Sequence, residues 1–336
     1  MNCLLRSFLC VLVLASCSRP AGQTTEVRIA VGGQTQFIFL PLTLADRLGY
    51  FNDEGLHVTI SDLRGGSEAM AAMMGGSVDV VTGFYEHTIR AHAQGKHLVM
   101  VALFDRYPGL VLMVGKNHWE SVRSVKDLVG HPVGVTAPGS SSDQMLKYLL
   151  RKNGVDPQAV PTVTAGISTM VAALEQDRVW AGVTVDPVAT KLEQSGIARP
   201  LHDTRTEQGA IDVFGGPWPA GGFYTTNDFI LQNATTVQAL VRAAVRTLRF
   251  IQEHTPEEIA ERMPPEFWAG DRDQYVRSLR ANMAMYSPDG LMLEDGAQNV
   301  LKSLALVDAA VAAANVDLAK TYENRFVRSA EPARSQ

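Results

Sequence analysis

The sequence predicts an α/β protein with two similar lobes, each a mostly parallel sheet flanked by helices, and a ligand cleft between them. Short apolar runs of strand type alternate with helical patterns up to about residue 223, an order that is typical of parallel sheets. The second half also echoes the first. Ser67 aligns with Ser168 at an offset of 101 residues, and Gly49 aligns with Gly154 at an offset of 105.

The first half contains three predicted strands and two predicted helices, separated by glycine and polar residues. Gly32 and Gly33 follow the first strand, and Gly49 ends the first helix. The predicted strands are residues 27–31, 58–63 and 78–82, and the predicted helices are residues 40–48 and 68–74.

The second half repeats this order, and the chain becomes helical beyond residue 223. Ser168 is expected to cap a helix. Apolar residues from 237 to 251 share one face of a helix that begins near Asn233. The predicted strands are residues 133–137, 160–163 and 179–183, and the further predicted helices are residues 143–152, 168–176, 273–285 and 294–314.

This order divides the chain into lobes. Residues 27–112 and 220–328 are expected to form the first lobe with the C-terminal helices, and residues 113–219 the second lobe. Residues 17–26 are small and polar and are interpreted as a tether, while residues 329–336 are interpreted as a frayed tail.

The N-terminus has the pattern of a secretory signal peptide, residues 1–16. Arg6 precedes an apolar run at residues 8–15, which is much shorter than the ~20 residues that a spanning helix needs. The run ends in Leu-Ala-Ser-Cys, which resembles a bacterial lipobox. That resemblance implies cleavage before Cys17, acylation (palmitate) of its thiol, and a lipid anchor in the cell envelope. An ordinary signal peptide that contains a cysteine, or a buried apolar strand, remains the alternative.

The three cysteines, Cys3, Cys10 and Cys17, all lie in this leader or at its end. A cleaved chain would keep one cysteine, so neither an intramolecular disulfide nor a thiolate metal site is expected. Acidic and basic residues are interspersed and the net charge is −5. The sequence therefore shows no basic patch of the kind that binds nucleic acid.

Several catalytic signatures are missing from the sequence. No two glycines stand at i and i+2, so there is no dinucleotide-binding loop, and there is no P-loop, G-x-S-x-G or H-E-x-x-H motif. His87, His92 and His97 recur at five-residue intervals, which turns each by about 140° from the last on a helix. The sequence therefore predicts no metal, no cofactor and no enzyme activity.

Polar and aromatic residues cluster where predicted strands end, which is where ligands bind in open α/β sheets. Helix N-termini there attract anions, although plain N-capping explains each loop alone equally well. Trp218 fits either a pocket wall or a rigid crossover, and Arg64 and Arg106 are more typical of the surface. The candidate ligand-binding residues are Gln34, Thr35, Gln36, Phe37, Ser67, Thr82, Phe84, Tyr85, Ser140, Ser141, Ser142, Asp186 and Trp218.

Most of the chain resembles the periplasmic substrate-binding proteins of ABC importers, in the nitrate, sulfonate and taurine group that also includes binders of the thiamine pyrimidine precursor. The resemblance depends on the order and spacing of the segments VRIAVGGQ, LADRLGYFNDEGLHV, GGSEAMAAMMGGSVDVVTG, SVKDLVGHPVGVTAPGSSSDQMLKYLLRKNGV, ALEQDRVWAGVTVDP and YSPDGLM. It implies a two-lobed periplasmic-binding-protein fold. It also implies that five loops contact the ligand: Gln34–Gln36, Ser67, Thr82–Tyr85, Ser140–Ser142 and Asp186. The family often carries an aromatic residue before the Asp-Pro pair, where this chain has Val185.

By this resemblance the expected function is capture of a small organic anion by hinge closure and its delivery to a permease with its ATPase. Two alternatives stay open. One is a binding protein for an aromatic carboxylate or the thiamine pyrimidine precursor. The other is a ligand-sensing module of a membrane signalling protein. Related pyrimidine-synthesising enzymes use a cysteine-rich motif, which this chain lacks beyond Cys17.

Overall fold

A computed structural model describes residues 24–330 of the chain. The predicted signal peptide, Cys17 and residues 331–336 lie outside the described residues. The strands between residues 24 and 330 are β1 Thr25–Gly32, β2 Leu56–Leu63, β3 Val80–Phe84, β4 Leu98–Leu103, β5 Val111–Gly115, β6 Val133–Val135, β7 Thr162–Thr164, β8 Ala181–Thr184, β9 Ala198–Asp203 and β10 Gly221–Thr226.

Helices make up much of the rest of residues 24–330. The α-helices are α1 Leu40–Arg47, α2 Tyr50–Asp53, α3 Gly66–Met74, α4 Glu86–Ala93, α5 Ser141–Lys152, α6 Ile167–Glu175, α7 Val188–Gln194, α8 Glu207–Phe214, α9 Asn227–Gln232, α10 Ala234–Glu253, α11 Pro256–Arg262, α12 Arg272–Asn282, α13 Glu294–Ala305, α14 Ala309–Ala313 and α15 Arg325–Arg328. Short 3-10 turns occur at Phe37–Phe39, Lys116–His118, Val125–Leu128, Pro157–Ala159, Pro265–Trp268, Met283–Met285 and Leu318–Lys320.

The strands form two five-stranded sheets with one shared topology. The first lobe contains the sheet β2-β1-β3-β10-β4, and the second lobe contains the sheet β7-β6-β8-β5-β9. In each sheet one strand runs against its neighbours: β10 is antiparallel to β3 and β4, and β5 is antiparallel to β8 and β9. The sheets are otherwise parallel, so the mostly parallel two-lobed fold expected from the sequence is confirmed.

The two reversed strands are also where the chain changes lobe. β5 begins the second lobe directly after β4 of the first, and β10 returns to the first lobe after β9. Two crossover segments, 104–110 and 204–220, therefore join the lobes, which is the geometry of a hinge.

The core of the first lobe continues into the C-terminal helices. Every residue of β4 is buried, because α4, α10 and α15 all pack on this strand at the end of the sheet. α10 buries its apolar face, including Val237, Leu248 and Ile251, against α1 and β4. Helices that follow the second lobe in sequence thus complete the first.

Local capping shifts several predicted boundaries. The single helix predicted over 294–314 is two helices, because the Asp308 carboxylate accepts hydrogen bonds from the N–H groups of Ala310 and Val311 and starts α14. Gly166, rather than Ser168, is the N-cap of α6. β1 begins at Thr25, where it pairs with Leu56, so the last two residues of the predicted tether belong to the sheet.

Within residues 24–330, no helix is both long enough and apolar enough to span a membrane.

Candidate ligand-binding site

The carboxyl ends of the parallel strands from both sheets meet at the interface between the lobes. There β1 ends at Gly32, β3 at Phe84 and β8 at Thr184, and the loop after β6 adds Thr136. These residues enclose a cavity of about 20 Å³, which is room for about one water molecule. The lobes are thus close together in this structure.

The cavity is lined by neutral side chains. Among the described residues, none of those that line it carries a charge. The lining consists of glycine backbone, one amide side chain, hydroxyl groups and apolar side chains. The lining residues are Gly32, Gln36, Phe39, Gly66, Gly83, Phe84, Leu110, Thr136, Ser140, Ser141, Ser142, Thr184 and Val185.

Helix α3 presents an uncapped N-terminus to this cavity. Its N-cap is Gly65, which has no side chain to accept a hydrogen bond, and Gly66 of its first turn lines the cavity. The backbone N–H groups at the start of a helix carry a partial positive charge and need acceptors. A ligand oxygen or an anionic group is the natural acceptor at this position.

The serine loop from Ser140 to Ser142 lines the opposite wall, and its hydroxyls already have partners. Ser140 Oγ donates to the Ala137 carbonyl at 2.7 Å, and Ser142 Oγ accepts the Thr136 N–H at 2.9 Å. Both hydrogen bonds stay within the second lobe. Ser141 differs, because its hydroxyl donates to Glu86 Oε1 of the first lobe at 2.9 Å.

Glu86 is the centre of a network behind the cavity in which Glu86 and His87 are fully buried and Arg90 is partly exposed. Its Oε1 lies 3.2 Å from His87 Nε2, and Arg90 Nη1 lies 3.6 Å from its Oε2. Arg90 Nη1 also donates to the Gly139 carbonyl of the second lobe at 2.7 Å. Two hydrogen bonds therefore join α4 to the second lobe across the cleft: Glu86 accepts one from Ser141, and Arg90 donates one to Gly139.

The network fixes the charge states of its members. The Glu86 carboxylate raises the pKa of Arg90 above its usual value, so the guanidinium stays charged. Burial lowers the pKa of His87, whose Nδ1 shares a 3.0 Å hydrogen bond with the Tyr224 hydroxyl. His87 is therefore neutral, and Arg90 is the cation that offsets Glu86.

Two buried threonine hydroxyls at the strand ends have no partner. Thr184 Oγ1 and Thr82 Oγ1 are both inaccessible and make no hydrogen bond with the residues that the structure describes. Thr184 lines the cavity, so its hydroxyl is available to a bound molecule. An unsatisfied buried hydroxyl costs about 1–3 kcal/mol, which a ligand that hydrogen-bonds to it would recover.

Hydrogen bonds of Asp186 also hold the lobes together. Its backbone carbonyl accepts the Phe37 N–H at 3.0 Å, and its carboxylate accepts a hydrogen bond from Asn282 Nδ2 at 2.6 Å. Thr190 N–H donates to the other carboxylate oxygen at 2.7 Å. The carboxylate predicted to meet ligand is thus occupied by protein groups, and it joins the second lobe to α12.

A larger groove opens outward from the cavity and shares Thr136 with it. Its volume is about 980 Å³. The first lobe contributes Thr35 and Arg64, the second contributes the start of α6, and the 3-10 turn before α12 contributes Trp268. The cleft therefore has a small inner cavity and a wide outer groove.

The predicted ligand residues fall into three groups. Gln36, Phe84, Ser140, Ser141 and Ser142 line the inner cavity, and Thr35 lines the outer groove. The others line neither space and stay predictions that only a bound ligand can test: Gln34, Phe37, Ser67, Thr82, Tyr85, Asp186 and Trp218.

The aromatic residues outside the cavity have other partners. Tyr85 shares a 2.6 Å hydrogen bond with Thr321, and Phe37 packs edge-on against Tyr275 at 4.9 Å between ring centres. Trp218 Nε1 donates to Ser303 Oγ at 2.8 Å. All three side chains contact the C-terminal part of the chain, and the rings of Trp218 and the cavity-lining Phe84 are 6.4 Å apart.

Sequence reasoning assigned no role to Glu86, Arg90 or Trp268, although each borders the cleft or its network. One signal was present for Glu86: an acidic residue directly after the apolar β3, at a strand end. Its partner Ser141 is 55 residues away, so nothing local shows that the two meet. Between residues 24 and 330, no three His, Cys, Asp or Glu side chains are placed to hold a metal ion.

Two lobes joined by two crossovers, with the facing strand ends between them, define the periplasmic-binding-protein fold. The chain belongs to the family described as NMT1/THI5-like, which matches residues 36–259. A solved structure from Bordetella bronchiseptica RB50 is similar over 92% of this chain and 97% of its own, with 39% identity and a TM-score of 0.87.

More distant relatives also match most of the chain. The alkanesulfonate-binding protein SsuA of Xanthomonas axonopodis pv. citri, solved with MOPS, covers 90% of this chain and 100% of its own at 18% identity and a TM-score of 0.69. YtlA of Bacillus subtilis, named as a binding protein, is 23% identical over 299 residues, which are 86% of this chain and 85% of that protein.

Other relatives are named as enzymes and match a smaller part. The 4-amino-5-hydroxymethyl-2-methylpyrimidine phosphate synthase of Legionella pneumophila is 24% identical over 161 residues, which are 47% of this chain and 49% of its own length. The chain therefore spans about half the length of these synthases, whereas the binding proteins match it nearly end to end.

Proposed function

We propose that this protein is the solute-binding component of an ABC importer, which captures a small organic anion between its lobes and delivers it to a membrane permease. Periplasmic location and anchoring through lipid on Cys17 are part of this proposal. Binding and hinge closure are the whole mechanism, with no chemistry on the ligand.

The observation that carries the proposal is the inner cavity, which both lobes build. The uncapped N-terminus of α3 offers N–H donors from the first lobe, and Thr184 offers an unpaired hydroxyl from the second. The cavity has room for about one water molecule as the lobes stand, so the lobes must move apart to admit a ligand that accepts hydrogen bonds from both of them. The similarity over most of the chain to two proteins named as binding proteins supports the same conclusion.

Two aromatic rings favour a second ligand class for the same role. Phe39 and Phe84 both line the cavity and lie edge to face, with 6.3 Å between ring centres. Once the lobes have moved apart, a planar ring can pack against the edge or face of either side chain. An aromatic carboxylate or a pyrimidine is therefore the alternative ligand, and the partial match to pyrimidine phosphate synthases supports including both in the test.

A thermal-shift screen tests the proposal directly. The panel contains nitrate, bicarbonate, alkanesulfonates, taurine, aromatic carboxylates and pyrimidines. A ligand at 100 times its dissociation constant stabilises the folded protein by ~2.7 kcal/mol, so one class is expected to raise the Tm clearly.

The same screen on Thr184→Val locates the binding. Valine keeps the shape and removes the hydroxyl, so the ligand that stabilises the wild type should bind about tenfold more weakly or worse to the variant. Unchanged affinity in Thr184→Val would remove the inner cavity from the proposal. A folded wild-type protein that responds to no compound of the panel would contradict anion capture.

A further inference from the structure

The two crossovers that join the lobes meet at Asp105. Its N–H donates to the Gly221 carbonyl at 3.2 Å, and its own carbonyl accepts the Ala220 N–H at 3.0 Å. Asp105 also forms an antiparallel bridge with Tyr286, which lies in the segment that follows α12. Asp105 therefore ties the first crossover both to the end of the second crossover and to the C-terminal part of the chain.

The Asp105 side chain is packed into this junction without a partner. Neither carboxyl oxygen makes a hydrogen bond with the residues that the structure describes, and the exposed fraction of Asp105 is 0%. Gly221 leaves the space that the carboxyl group occupies, because a Cβ atom at this position would lie 2.2 Å from Asp105 Oδ2. The carboxyl group thus lies directly on the backbone at the end of the second crossover.

The charged and titratable side chains on either side of Asp105 do not offset a carboxylate. Arg106 is adjacent in sequence, but its side chain is exposed and donates to the Ala284 carbonyl at 2.5 Å. Burial, and to a smaller extent the charge of Asp105, raises the pKa of both Tyr286 and Tyr107. Both phenols therefore stay neutral at physiological pH.

The remaining neighbours of Asp105 supply no compensating charge either. Residues 37–39 and 220–222, whose backbone surrounds the carboxyl group, contain no titratable side chain. Glu207 and Asp186, which act on the two tyrosines, are acidic. An ionised Asp105 would thus be a buried charge without a counterion among residues 24–330.

Burial decides the charge of Asp105 in this arrangement. It raises the pKa of the carboxyl group well above the ordinary value, and the nearby Gly221 N–H offsets only part of this effect. Water could stabilise the carboxylate, but it can reach the group only if the segments packed around it separate. These segments include both crossovers, which must move when the lobes part.

We propose that Asp105 couples a proton to the hinge: the closed form holds a neutral carboxylic acid between the crossovers, and release of its proton to water favours the open form, in which the carboxylate is hydrated. The ratio of closed to open forms then falls as the pH rises from the ordinary pKa of about 4 to the raised pKa, by up to about tenfold per pH unit. This inference concerns the hinge and does not depend on which ligand the cleft captures.

Small-angle X-ray scattering of the ligand-free protein, from about pH 5 to about pH 9, tests the proposal. We expect the radius of gyration of the wild type to increase with pH. Asp105→Asn keeps the shape of the side chain and cannot ionise, so its radius should stay at the low-pH value of the wild type throughout.

Asp46→Asn is the matched control. Burial also raises the pKa of Asp46, which lies on α1, outside both crossovers. This variant should therefore show the same increase in radius as the wild type. Circular dichroism at each pH shows whether a variant is folded, and Asp105→Ala, which also cannot ionise, replaces Asp105→Asn if the asparagine variant does not fold.

Infrared difference spectra of the wild type against Asp105→Asn at low pH report the proton itself, because a carboxylic acid has a carbonyl band that a carboxylate lacks. We expect this band in the wild type at low pH, with its loss following the increase in radius. A radius of the wild type that is the same at both ends of the pH range would overturn the proposal. An increase that persists in Asp105→Asn would also overturn it, because another group would then drive the opening.

Discussion

Removing the Ser141 hydroxyl should open the cleft, because this hydroxyl makes one of the hydrogen bonds that join the lobes. It donates to Glu86 Oε1 at 2.9 Å, and Glu86 is completely buried. A hydrogen bond to a charged group contributes ≈ 1.5–3 kcal/mol. In Ser141→Ala the carboxylate oxygen keeps only the His87 contact at 3.2 Å.

Only the closed form loses this free energy, because Ser141 and Glu86 lie on different lobes and form the hydrogen bond only when the cleft is closed. A loss of about 1.5 kcal/mol shifts the balance between closed and open forms by about tenfold, and a loss of 3 kcal/mol by more than a hundredfold. We therefore expect at least tenfold weaker binding of the panel compound that stabilises the wild type. The radius of gyration in solution without ligand should also increase.

Ser142→Ala is the control, because it removes a hydroxyl of the same loop whose bonds all stay in the second lobe. It should lower the free energy of unfolding and leave the radius of gyration unchanged. Glu86→Gln, which keeps an acceptor but loses the charge, should fall between Ser141→Ala and the wild type. Equal losses of affinity in Ser141→Ala and Ser142→Ala, with no change of radius in either, would refute the reasoning.

Three further predictions concern other parts of the chain. Burial raises the pKa of Asp105 well above its ordinary value, so the folded state holds this proton more tightly than the unfolded chain. The stability from this proton is full below about pH 4 and is lost as the pH rises through the raised pKa, by up to about 1.4 kcal/mol per pH unit. Asp105→Asn should remove that slope and be more stable than the wild type at pH 7 in urea unfolding; a slope that persists would assign it to another group. Tyr224→Phe leaves His87 Nδ1 without its 3.0 Å partner in a fully buried place, so the free energy of unfolding should fall by about 1–3 kcal/mol, and an unchanged unfolding midpoint would show that water replaces the hydroxyl. Cys17→Ala should release the protein from the membrane into the soluble fraction, and continued membrane association would rule out the lipid anchor.

Local patterns were sufficient to predict the two lobes and six of the ten strands between residues 24 and 330, namely β1, β2, β3, β6, β7 and β8. The alternation of apolar runs with helical segments, and the glycines that end them, depend on neighbours within a few residues. The shared strand order of the two sheets agrees with the echo between residues 49–78 and 154–179. Four strands, β4, β5, β9 and β10, were not predicted, and among the predicted elements the errors lay at ends, as at Asp308, where one capping side chain divides a helix.

The strand-end rule also placed several residues at the cavity from sequence alone. Gln36, Phe84 and the serine loop line it, because the carboxyl ends of parallel strands share one edge of a sheet. The strand-end rule did not predict which side chain of a loop lines the cavity. Phe84 lines the cavity, whereas Tyr85, the next residue, bonds to Thr321, which lies 236 residues further along the chain.

The tertiary structure alone decided how the polar groups are paired. Asp186 follows a strand end and stays a predicted ligand residue, and its carboxylate accepts a hydrogen bond from Asn282, which is 96 residues away. Glu86 meets Ser141 only because the lobes face each other, and Trp268 reaches the groove only because the C-terminal helices fold back on the first lobe. Secondary structure depends largely on short-range preferences, so six of the ten strands could be predicted from the sequence. Buried polar groups must find partners wherever folding brings them, and those partners are remote in sequence.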